Sequence, residues 1–241
     1  MSAVLGEEAL AAAAGGFLFY PCSGRDWDEL VGAFSPTVDT FWFCDPCYDE
    51  SCAAPVCGFR IVETTIDGDP TAALRQVRDE NRTYRHVPRC VWASRMVRKE
   101  DGTVVTVNRR RGFGEYALTT EFPNRSISVF VHRGDTLAHG EGSSGSCFLG
   151  RRRRDHEPLS MLFDKLAHKL RDTAIVVSDG SNTDIAELKR FRRFGRDGTD
   201  AFAAAREEPF TKWGFDWRCV GHLGPRYGPT LVWETRRHPS G

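Results

Sequence analysis

The stretch GFLFYPCSGRDWDELVGAFSPTVDTFWFCD, residues 16–45, decides the fold class of this chain. It begins with a short apolar run, Gly16 to Tyr20, which ends in a polar turn. The segment from Trp27 to Phe34 then has helical spacing, with its apolar side chains on one face. A second apolar run, Val38 to Cys44, ends at Asp45. Strand, turn, helix and strand thus follow one another within about 30 residues, which is the size of a βαβ unit.

The rest of the chain continues this alternation of apolar runs and helical segments. Strands are predicted at 59–66, 127–131, 174–177, 217–220 and 230–234, and helices at 69–82, 159–170 and 184–196. Residues 89–121 alternate with a period of two around a turn at 99–102, which predicts an antiparallel β insertion. The sequence therefore predicts a single α/β domain over 1–241. We expect a Rossmann-like, mostly parallel sheet with helices on both faces and a closing antiparallel β-hairpin.

Length and composition exclude several classes of protein. The 241 residues are 40% hydrophobic and 27% charged, which is typical of a globular domain and not of a disordered chain. No apolar run approaches the ~20 residues needed to cross a bilayer. The first 16 residues have no basic region before their alanine run, so they predict a short leading helix rather than a signal peptide. We expect a cytoplasmic protein without a membrane partner.

Charge is distributed unevenly along the chain. The totals balance, with 33 Lys and Arg against 33 Asp and Glu. Residues 1–80 carry 4 basic and 14 acidic side chains, and the remainder carries 29 and 19, so the net charges are −10 and +10. Either two faces neutralise each other on folding, or a basic surface binds a nucleotide or nucleic acid. The basic runs 109–111, 151–154 and 189–196 lie near phenylalanines, a combination that suits nucleic acid.

Four of the eight cysteines lie close together, at Cys44, Cys47, Cys52 and Cys57. The spacing between Cys44 and Cys47 fits one half of a zinc site, but the spacing between Cys52 and Cys57 is looser than usual. Structural zinc is therefore possible but not favoured. Free thiols in a reducing compartment are the favoured interpretation.

Four predicted strands end in polar segments that contain functional side chains. The segments are 21–26, 45–48, 132–145 and 178–182. In an open α/β sheet, ligands bind outside the carboxyl ends of the strands, so we expect these segments to meet at one cleft. Loops at strand ends are polar in any protein, which is the plainer explanation. That explanation accounts less well for the density of functional groups after residue 131.

The segment from His132 to Glu141 has three open interpretations. In the first, the segment is catalytic and includes Glu141: His132 is a general base, Asp135 orients it, and Arg133 holds an anionic substrate. In the second, His132, Asp135 and Glu141, together with a further histidine at position 139, bind a divalent metal ion. In the third, the charged groups of a glycine-rich loop pair with one another and with solvent.

Substrate contacts are predicted in the loops around this segment. Ser143 and Ser144 lie in a flexible, glycine-rich stretch that can cradle an anion or act as a lid. This stretch lacks the ending of a P-loop and the pattern of a hydrolase nucleophile elbow, so neither an NTPase nor a serine hydrolase is favoured. Asp179 and Asn182 would lie across the cleft, although capping or turn formation also explains them. Tyr227 would shape the mouth of the site.

The order of elements resembles that of class I S-adenosylmethionine-dependent methyltransferases. In that family a glycine-rich turn follows the first strand and an acidic residue ends the second. Here the turn is Tyr20-Pro-Cys22-Ser23-Gly24-Arg-Asp26, with a single glycine, and Asp45 has the position of the acidic residue. The resemblance implies that residues of this turn line the amino-acid end of the cofactor and that Asp45 holds its ribose. The implied turn residues are Tyr20, Cys22, Ser23, Gly24 and Asp26.

These features lead to two hypotheses about function. The first is a transferase that uses S-adenosylmethionine and acts on a small molecule, a nucleotide or a nucleic acid, with His132, Arg133 and Asp135 facing the acceptor. The second is a noncatalytic protein that binds a nucleotide or nucleic acid on the same scaffold, chiefly through its arginine runs.

Overall fold

The computed structural model describes residues 4–21, 23–72, 75–79, 82–86, 88–112, 114–133, 162–181, 183–194, 198–225 and 228–239. The strands are β1 (Val4–Leu5), β2 (Phe17–Pro21), β3 (Thr40–Asp45), β4 (Phe59–Gly68), β5 (Arg75–Asp79), β6 (Arg82–His86), β7 (Cys90–Arg98), β8 (Val104–Arg111), β9 (Ile127–His132), β10 (Leu170–Ser178), β11 (Phe210–Lys212), β12 (Phe215–Leu223) and β13 (Thr230–Arg237). The α-helices are α1 (Glu7–Ala13), α2 (Asp28–Phe34), α3 (Gly114–Thr120), α4 (Leu162–Lys169), α5 (Ala186–Arg190) and α6 (Gly198–Arg206), and 3₁₀ helices cover Glu50–Ala53 and Phe191–Phe194. None of these helices is long and apolar enough to span a membrane.

Eleven strands form one sheet, in the order β1-β12-β13-β10-β9-β2-β3-β8-β7-β4, with β11 added beside β12. Strands β8, β3, β2, β9 and β10 are mutually parallel, and β12 shares their direction because β13 is antiparallel to both β10 and β12. In chain order, these strands have the 3-2-1-4-5-6 arrangement of a doubly wound fold. Strand β13 is inserted between the fifth and the sixth. The mixed α/β architecture and its antiparallel closing hairpin are thus confirmed. The expectation of a mostly parallel sheet is wrong: among the described strands of this sheet, four pairings are parallel and six are antiparallel, because antiparallel strands are added at both edges of the parallel centre.

Both faces of the central sheet are buried, which explains the continuous apolar runs in the sequence. All six residues of β9 are buried, as expected for a parallel strand with a layer on each side. Along β2, Leu18 and Tyr20 belong to the core that contains α1 and α2. Phe19 belongs to the opposite core, which holds α3 to α6. This alternation places the helix of the first βαβ unit on one face and most later helices on the other.

The helix predicted over 69–82 is wrong. Strands β5 and β6 pair with each other in antiparallel fashion and form a separate two-stranded sheet. Pro70 had suggested a helix start, but β-branched and aromatic residues on either side of Glu80-Asn81 are typical of a hairpin. In the sequence this hairpin lies between β4 and β7, which pair with each other in antiparallel fashion. We call residues 69–88, which connect β4 to β7 and contain β5 and β6, the arm, and the ends of β4 and β7 its base.

The prediction of an antiparallel insertion over 89–121 is only partly right. Strands β7 and β8 do form an antiparallel hairpin. However, β8 also pairs in parallel with β3 and is a core strand of the sheet, and residues 114–120 form α3. The burial of β8 could not be recognised in the sequence, because the strand ends in three consecutive arginines, a residue type that is usually exposed. The antiparallel addition to the parallel sheet consists of β4 and β7.

The helix predicted over 184–196 is shorter than expected and changes character. Residues 186–190 form α5, and Phe191–Phe194 continue it as a 3₁₀ helix. At the start of this 3₁₀ helix, the ring of Phe191 packs against that of Trp233 in β13, with ring centroids 5.7 Å apart. Helix α4 ends at Lys169, and β10 begins at the next residue, one residue before the predicted helix end.

Two glycines provide a matched test of the packing at β2. A methyl group on Gly16 would lie 2.7 Å from Ser128 Cβ and 2.9 Å from the carbonyl oxygen of Ser126, whereas one on Gly32 would meet nothing within 4 Å. We expect Gly16→Ala to lower the free energy of unfolding by about 1–3 kcal/mol through overpacking. Gly32→Ala, inside α2, should raise it by about 0.5–1 kcal/mol. Urea unfolding followed by circular dichroism measures both, and equal effects would contradict this account of the packing.

Candidate functional site

The parallel strands bring their carboxyl ends to one edge of the sheet. Strands β2, β3, β8, β9 and β10 end there at residues 21, 45, 111, 132 and 178. The strand order reverses between β2 and β9, and this point is where doubly wound folds bind their ligands. Several predicted site residues lie outside the described residues: Cys22, Asp135, Glu141, Ser143, Ser144, Asn182 and Tyr227. Those that are described all lie at this edge.

Gly24 and Asp45 are in direct contact. The backbone N–H of Gly24 donates to Oδ2 of Asp45 at 3.0 Å, and Oδ1 of Asp45 accepts from the N–H of Cys47 at 2.8 Å. Gly24 has a φ of +53°, a left-handed conformation that favours glycine. A methyl group at Gly24 would meet none of the described residues within 4 Å. Within the described part of the chain, each carboxylate oxygen of Asp45 accepts one backbone hydrogen bond and retains further acceptor capacity.

Ser23 is held on the buried side of the same turn. Its N–H donates to the carbonyl of Cys44 at 3.1 Å, and its Oγ lies 2.5 Å from the hydroxyl of Tyr48. Burial raises the pKa of Tyr48 well above its ordinary range, so this hydroxyl stays neutral. Ser23 therefore bonds to both Cys44 and Tyr48. These two contacts hold the turn after β2 against the end of β3 and the loop that follows it.

Arg133 forms a buried ion triad at the point of reversal. Its Nε lies 2.8 Å from Oδ2 of Asp26 and its Nη1 lies 2.8 Å from Oε2 of Glu29, while its side chain is only 1% exposed. Burial alone would lower the pKa of Arg133, but the negative charge of Asp26 and Glu29 outweighs burial and raises it. The hydroxyl of Tyr20 donates to the carbonyl of Arg133 at 2.7 Å.

The triad connects four parts of the fold. Asp26 belongs to the turn after β2, Glu29 to the first turn of α2, and Arg133 follows β9 directly. Glu29 also accepts from the backbone N–H of Gly224, at 2.6 Å, just after β12. Arg133 thus has two carboxylate partners inside the protein. Its predicted contact with an anionic substrate remains a prediction.

His132 and Asp179 are neighbours at the ends of β9 and β10. His132 pairs in register with Ser178, and the N–H of Asp179 donates to the carbonyl of His132 at 3.4 Å. Both side chains belong to residues that are 2% exposed. Oδ1 of Asp179 accepts from the N–H of Ser181 at 2.9 Å, so Asp179 does form the turn that its sequence context allows. The arrangement places an imidazole and a carboxyl group beside the reversal point.

The basic run 109–111 is buried, which corrects the expectation that it forms a basic surface for nucleic acid. Arg109, Arg110 and Arg111 are 0%, 5% and 6% exposed. The guanidinium of Arg109 lies 4.7 Å from the centre of the Trp27 ring and donates to the carbonyl of Ala54, and burial lowers the pKa of Arg109. Arg110 pairs with Glu121 at 3.0 Å. The run 151–154 lies outside the described residues.

Arg111 holds the base of the arm that contains β5 and β6. It donates three hydrogen bonds to main-chain carbonyls, those of Asp69 at 2.7 Å, Pro70 at 3.1 Å and Pro88 at 3.0 Å. These acceptors belong to both connections of the arm. Because Arg111 ends β8, the arm leaves the sheet at the same edge as the candidate site.

Sequence reasoning missed Glu29, Tyr48 and Arg111. Glu29 carried a usable signal, because it follows Asp26 by three residues and so lies near it where a helix begins. Tyr48 lies two residues beyond the polar turn at Asp45-Pro46, and only the folded loop shows that it reaches Ser23. Nothing in the sequence distinguishes Arg111 from the two arginines before it.

The structure separates the four clustered cysteines into buried and exposed positions. Cys44 and Cys52 are buried, whereas Cys47 and Cys57 are exposed. Cys44 donates from Sγ to the carbonyl of Gly112 at 3.1 Å, and burial raises its pKa to about 12. Among the described residues, which include all four of these cysteines, no three His, Cys, Asp or Glu side chains are placed to hold a metal ion.

Two surface grooves lie away from the candidate site. They have volumes of about 590 and 620 Å³ and share Glu8, Arg218, Glu234 and Arg236 in their walls. These side chains pair with one another, at 2.6 Å between Arg218 and Glu234 and at 2.7 Å between Arg236 and Glu234. The charges in both grooves are thus largely satisfied within the protein, which makes the grooves poor sites for a charged ligand.

Comparison with known proteins leaves the family open. No protein-family model matches the chain, and no curated protein matches it significantly. Among solved structures, the chain is similar to Trm1 from Pyrococcus horikoshii in complex with S-adenosyl-L-methionine, with 8% identity and a TM-score of 0.39 over 93% of this chain. The chain spans about half of that protein, 51% of its length. A likeness at this level carries no argument about function.

Removal of the central cation tests the ion triad. We expect Arg133→Met to lower the free energy of unfolding by about 3 kcal/mol, since it leaves Asp26 and Glu29 without their cation. Neutralising the carboxylates as well, in Arg133→Met/Asp26→Asn/Glu29→Gln, should recover much of this loss. Arg25→Met, in the same turn but exposed, is the control and should have little effect. Chemical unfolding measures all three variants. If Arg133→Met is as stable as the native protein, the triad does not stabilise the fold.

Proposed function

We propose that this protein is a transferase that uses S-adenosylmethionine and acts on a small-molecule, nucleotide or nucleic-acid acceptor. The observation that carries the proposal is the contact between Gly24 and Asp45 at the reversal of a 3-2-1-4-5-6 sheet. A turn residue after the first strand and a carboxylate at the end of the second are where such folds hold an adenosine ribose.

The residues at this edge fit the ribose part of that cofactor. Asp45 is only partly buried, and its two oxygens have capacity to accept from the two ribose hydroxyls beyond their present backbone hydrogen bonds. Since no described residue would contact a methyl group at Gly24, a ligand could approach this part of the backbone closely. Asp45 would thus hold the ribose. Tyr20, Ser23, Gly24 and Asp26 would line the neighbouring part of the site.

Transfer chemistry needs little from the protein beyond position and one base. S-adenosylmethionine, when bound, supplies a methyl group on a positively charged sulfur. The attacking atom of the acceptor loses one proton, and the imidazole of His132 is the group at this edge suited to accept it. Arg133 would keep His132 and the turn after β2 in place through Asp26 and Glu29. We further propose catalytic roles for Asp135 and Glu141, and roles in acceptor binding for Ser143, Ser144, Asp179, Asn182 and Tyr227.

A noncatalytic nucleotide or nucleic-acid binding protein is the second candidate. One observation favours it: Asp26, at the amino-acid end of the proposed cofactor site, is already paired with the buried Arg133. In that case Asp45 would bind the ribose of a nucleotide, and the turn after β2 would not hold the methionine part of a methyl donor. The two candidates differ in whether the protein binds the methionine part of the cofactor.

Calorimetric titration of the protein with S-adenosylmethionine and S-adenosylhomocysteine tests the proposal. We expect binding in the micromolar range, weakened about 10- to 100-fold by Asp45→Asn, because the amide presents one acceptor oxygen instead of two. Asp49→Asn is the matched control, since Asp49 lies in the same loop and its carboxylate accepts, among the described residues, from Ser51 and Cys52. This variant should bind the cofactor as the native protein does. Binding of adenosine without either full cofactor would favour the noncatalytic candidate.

The role of His132 is tested once an acceptor has been found. His132→Gln should lower turnover by about 10²–10⁴-fold, the usual contribution of a general base, and leave S-adenosylmethionine binding unchanged. Methyl transfer from radiolabelled cofactor measures turnover, and the calorimetric titration measures binding. If His132→Gln retains native turnover, His132 is not the base.

A further inference from the structure

Four exposed cations lie together on the segment that follows β10. They are Lys189, Arg190, Arg192 and Arg193, four of five consecutive residues across α5 and the 3₁₀ helix after it. Arg190 pairs with Glu208. In the part of the chain that the structure describes, the other three form no ion pair. We call these four residues the basic segment.

The basic segment borders the candidate site. Gly180, which follows the buried Asp179, has a φ of +69°, and a methyl group on it would lie 2.5 Å from the carbonyl oxygen of Leu188 and 3.2 Å from Cγ of Arg192. Helix α5 and the stem of Arg192 are therefore pressed against the loop that ends β10. The first residue of α6, Gly198, packs equally closely against His222 near the end of β12. The segment thus lies along the edge where the parallel strands end.

Two of the guanidinium groups are held in place by aromatic rings. Arg190 lies 4.7 Å from the centre of the Phe191 ring and Arg193 lies 5.5 Å from that of Phe194. Phe191 is in turn buried against Trp233 of the sheet. Cation–π contacts of this kind restrict the side chains before a ligand arrives, so less conformational entropy is lost on binding.

We propose that the basic segment binds the phosphodiester backbone of a nucleic acid whose acceptor nucleotide enters the candidate site beside His132. This inference rests on the proposed function and names its acceptor class. Five residues of helix span about 6–8 Å, and a nucleic-acid strand presents one phosphate about every 3.4 Å of duplex axis. Four cations over that length suit two or three successive phosphates. A small acceptor that fits within the site would not reach them.

Fluorescence anisotropy with short labelled single strands of RNA and DNA tests the proposal. The variant Lys189→Gln/Arg192→Gln/Arg193→Gln should bind about 10- to 100-fold more weakly at about 0.1 M salt. The slope of log affinity against log salt concentration should become shallower by about 2, since each lost phosphate contact in a single strand contributes about 0.7. The variant Arg60→Gln/Arg95→Gln/Lys99→Gln removes the same charge from exposed residues on β4, on β7 and directly after β7. It should keep the native affinity and slope.

Three results would overturn the proposal. The first is a basic-segment variant that binds both strands as the native protein does. The second is an equal loss of affinity in the control variant, which would mean that only net charge matters. The third is equally tight binding of polyglutamate, or of vesicles of phosphatidylserine and phosphatidylcholine, which would identify an acidic protein or a membrane surface as the partner.

Parallel titrations with S-adenosylmethionine separate this proposal from the proposed function. A basic-segment variant that loses nucleic acid but binds the cofactor normally supports both. If the native protein does not bind the cofactor but binds nucleic acid through these residues, the proposed transferase function is wrong and the proposed nucleic-acid-binding surface stands.

Discussion

Strand β2 pairs in parallel with β3 on one side and with β9 on the other, and the chain reaches these two neighbours by winding in opposite directions. The crevice that results between β2 and β9 cannot be closed by sheet hydrogen bonds beyond the last paired residues. Arg133 fills it with a charged side chain, and Asp26 and Glu29 satisfy that charge from the turn and helix on the other side. The position of α2, the conformation of the turn before it and the placement of His132 all depend on this contact.

Folding resolves much of the charge asymmetry of the sequence. Acidic side chains of the first 80 residues pair with arginines from the remainder of the chain, at the crevice and elsewhere. The pairs are Asp26 and Glu29 with Arg133, Glu8 with Arg218, and Asp67 with Arg89. The buried run 109–111 removes three further cations from the surface. The interpretation of two mutually neutralising parts therefore accounts for these charges, and the basic segment after β10 is an exception.

The sequence predicted the central elements well because burial on both faces imposes uninterrupted apolar runs. Residues 16–45 and the strand at 127–131 have such runs, and their carboxyl ends could be located within a residue or two. The arm over 69–88 was assigned wrongly because Pro70 is compatible with both a helix start and an extended chain. The burial of Arg109 could not be predicted from the sequence. An alternation with a period of two shows which side chains lie on the same face of a strand, but not whether other elements cover that face. The place of Glu29 beside Asp26 could have been predicted, because the two residues are three apart where a helix begins.

The way in which Arg111 holds the arm has a consequence for the evolution of this fold. All three of its hydrogen bonds are accepted by main-chain oxygens, and every residue type supplies such an oxygen. Mutations between the two anchored connections can therefore accumulate, and the arm can change in length or composition, without loosening its attachment to the sheet. The arm is thus a part that can diverge rapidly between related proteins while the edge beneath it stays constant.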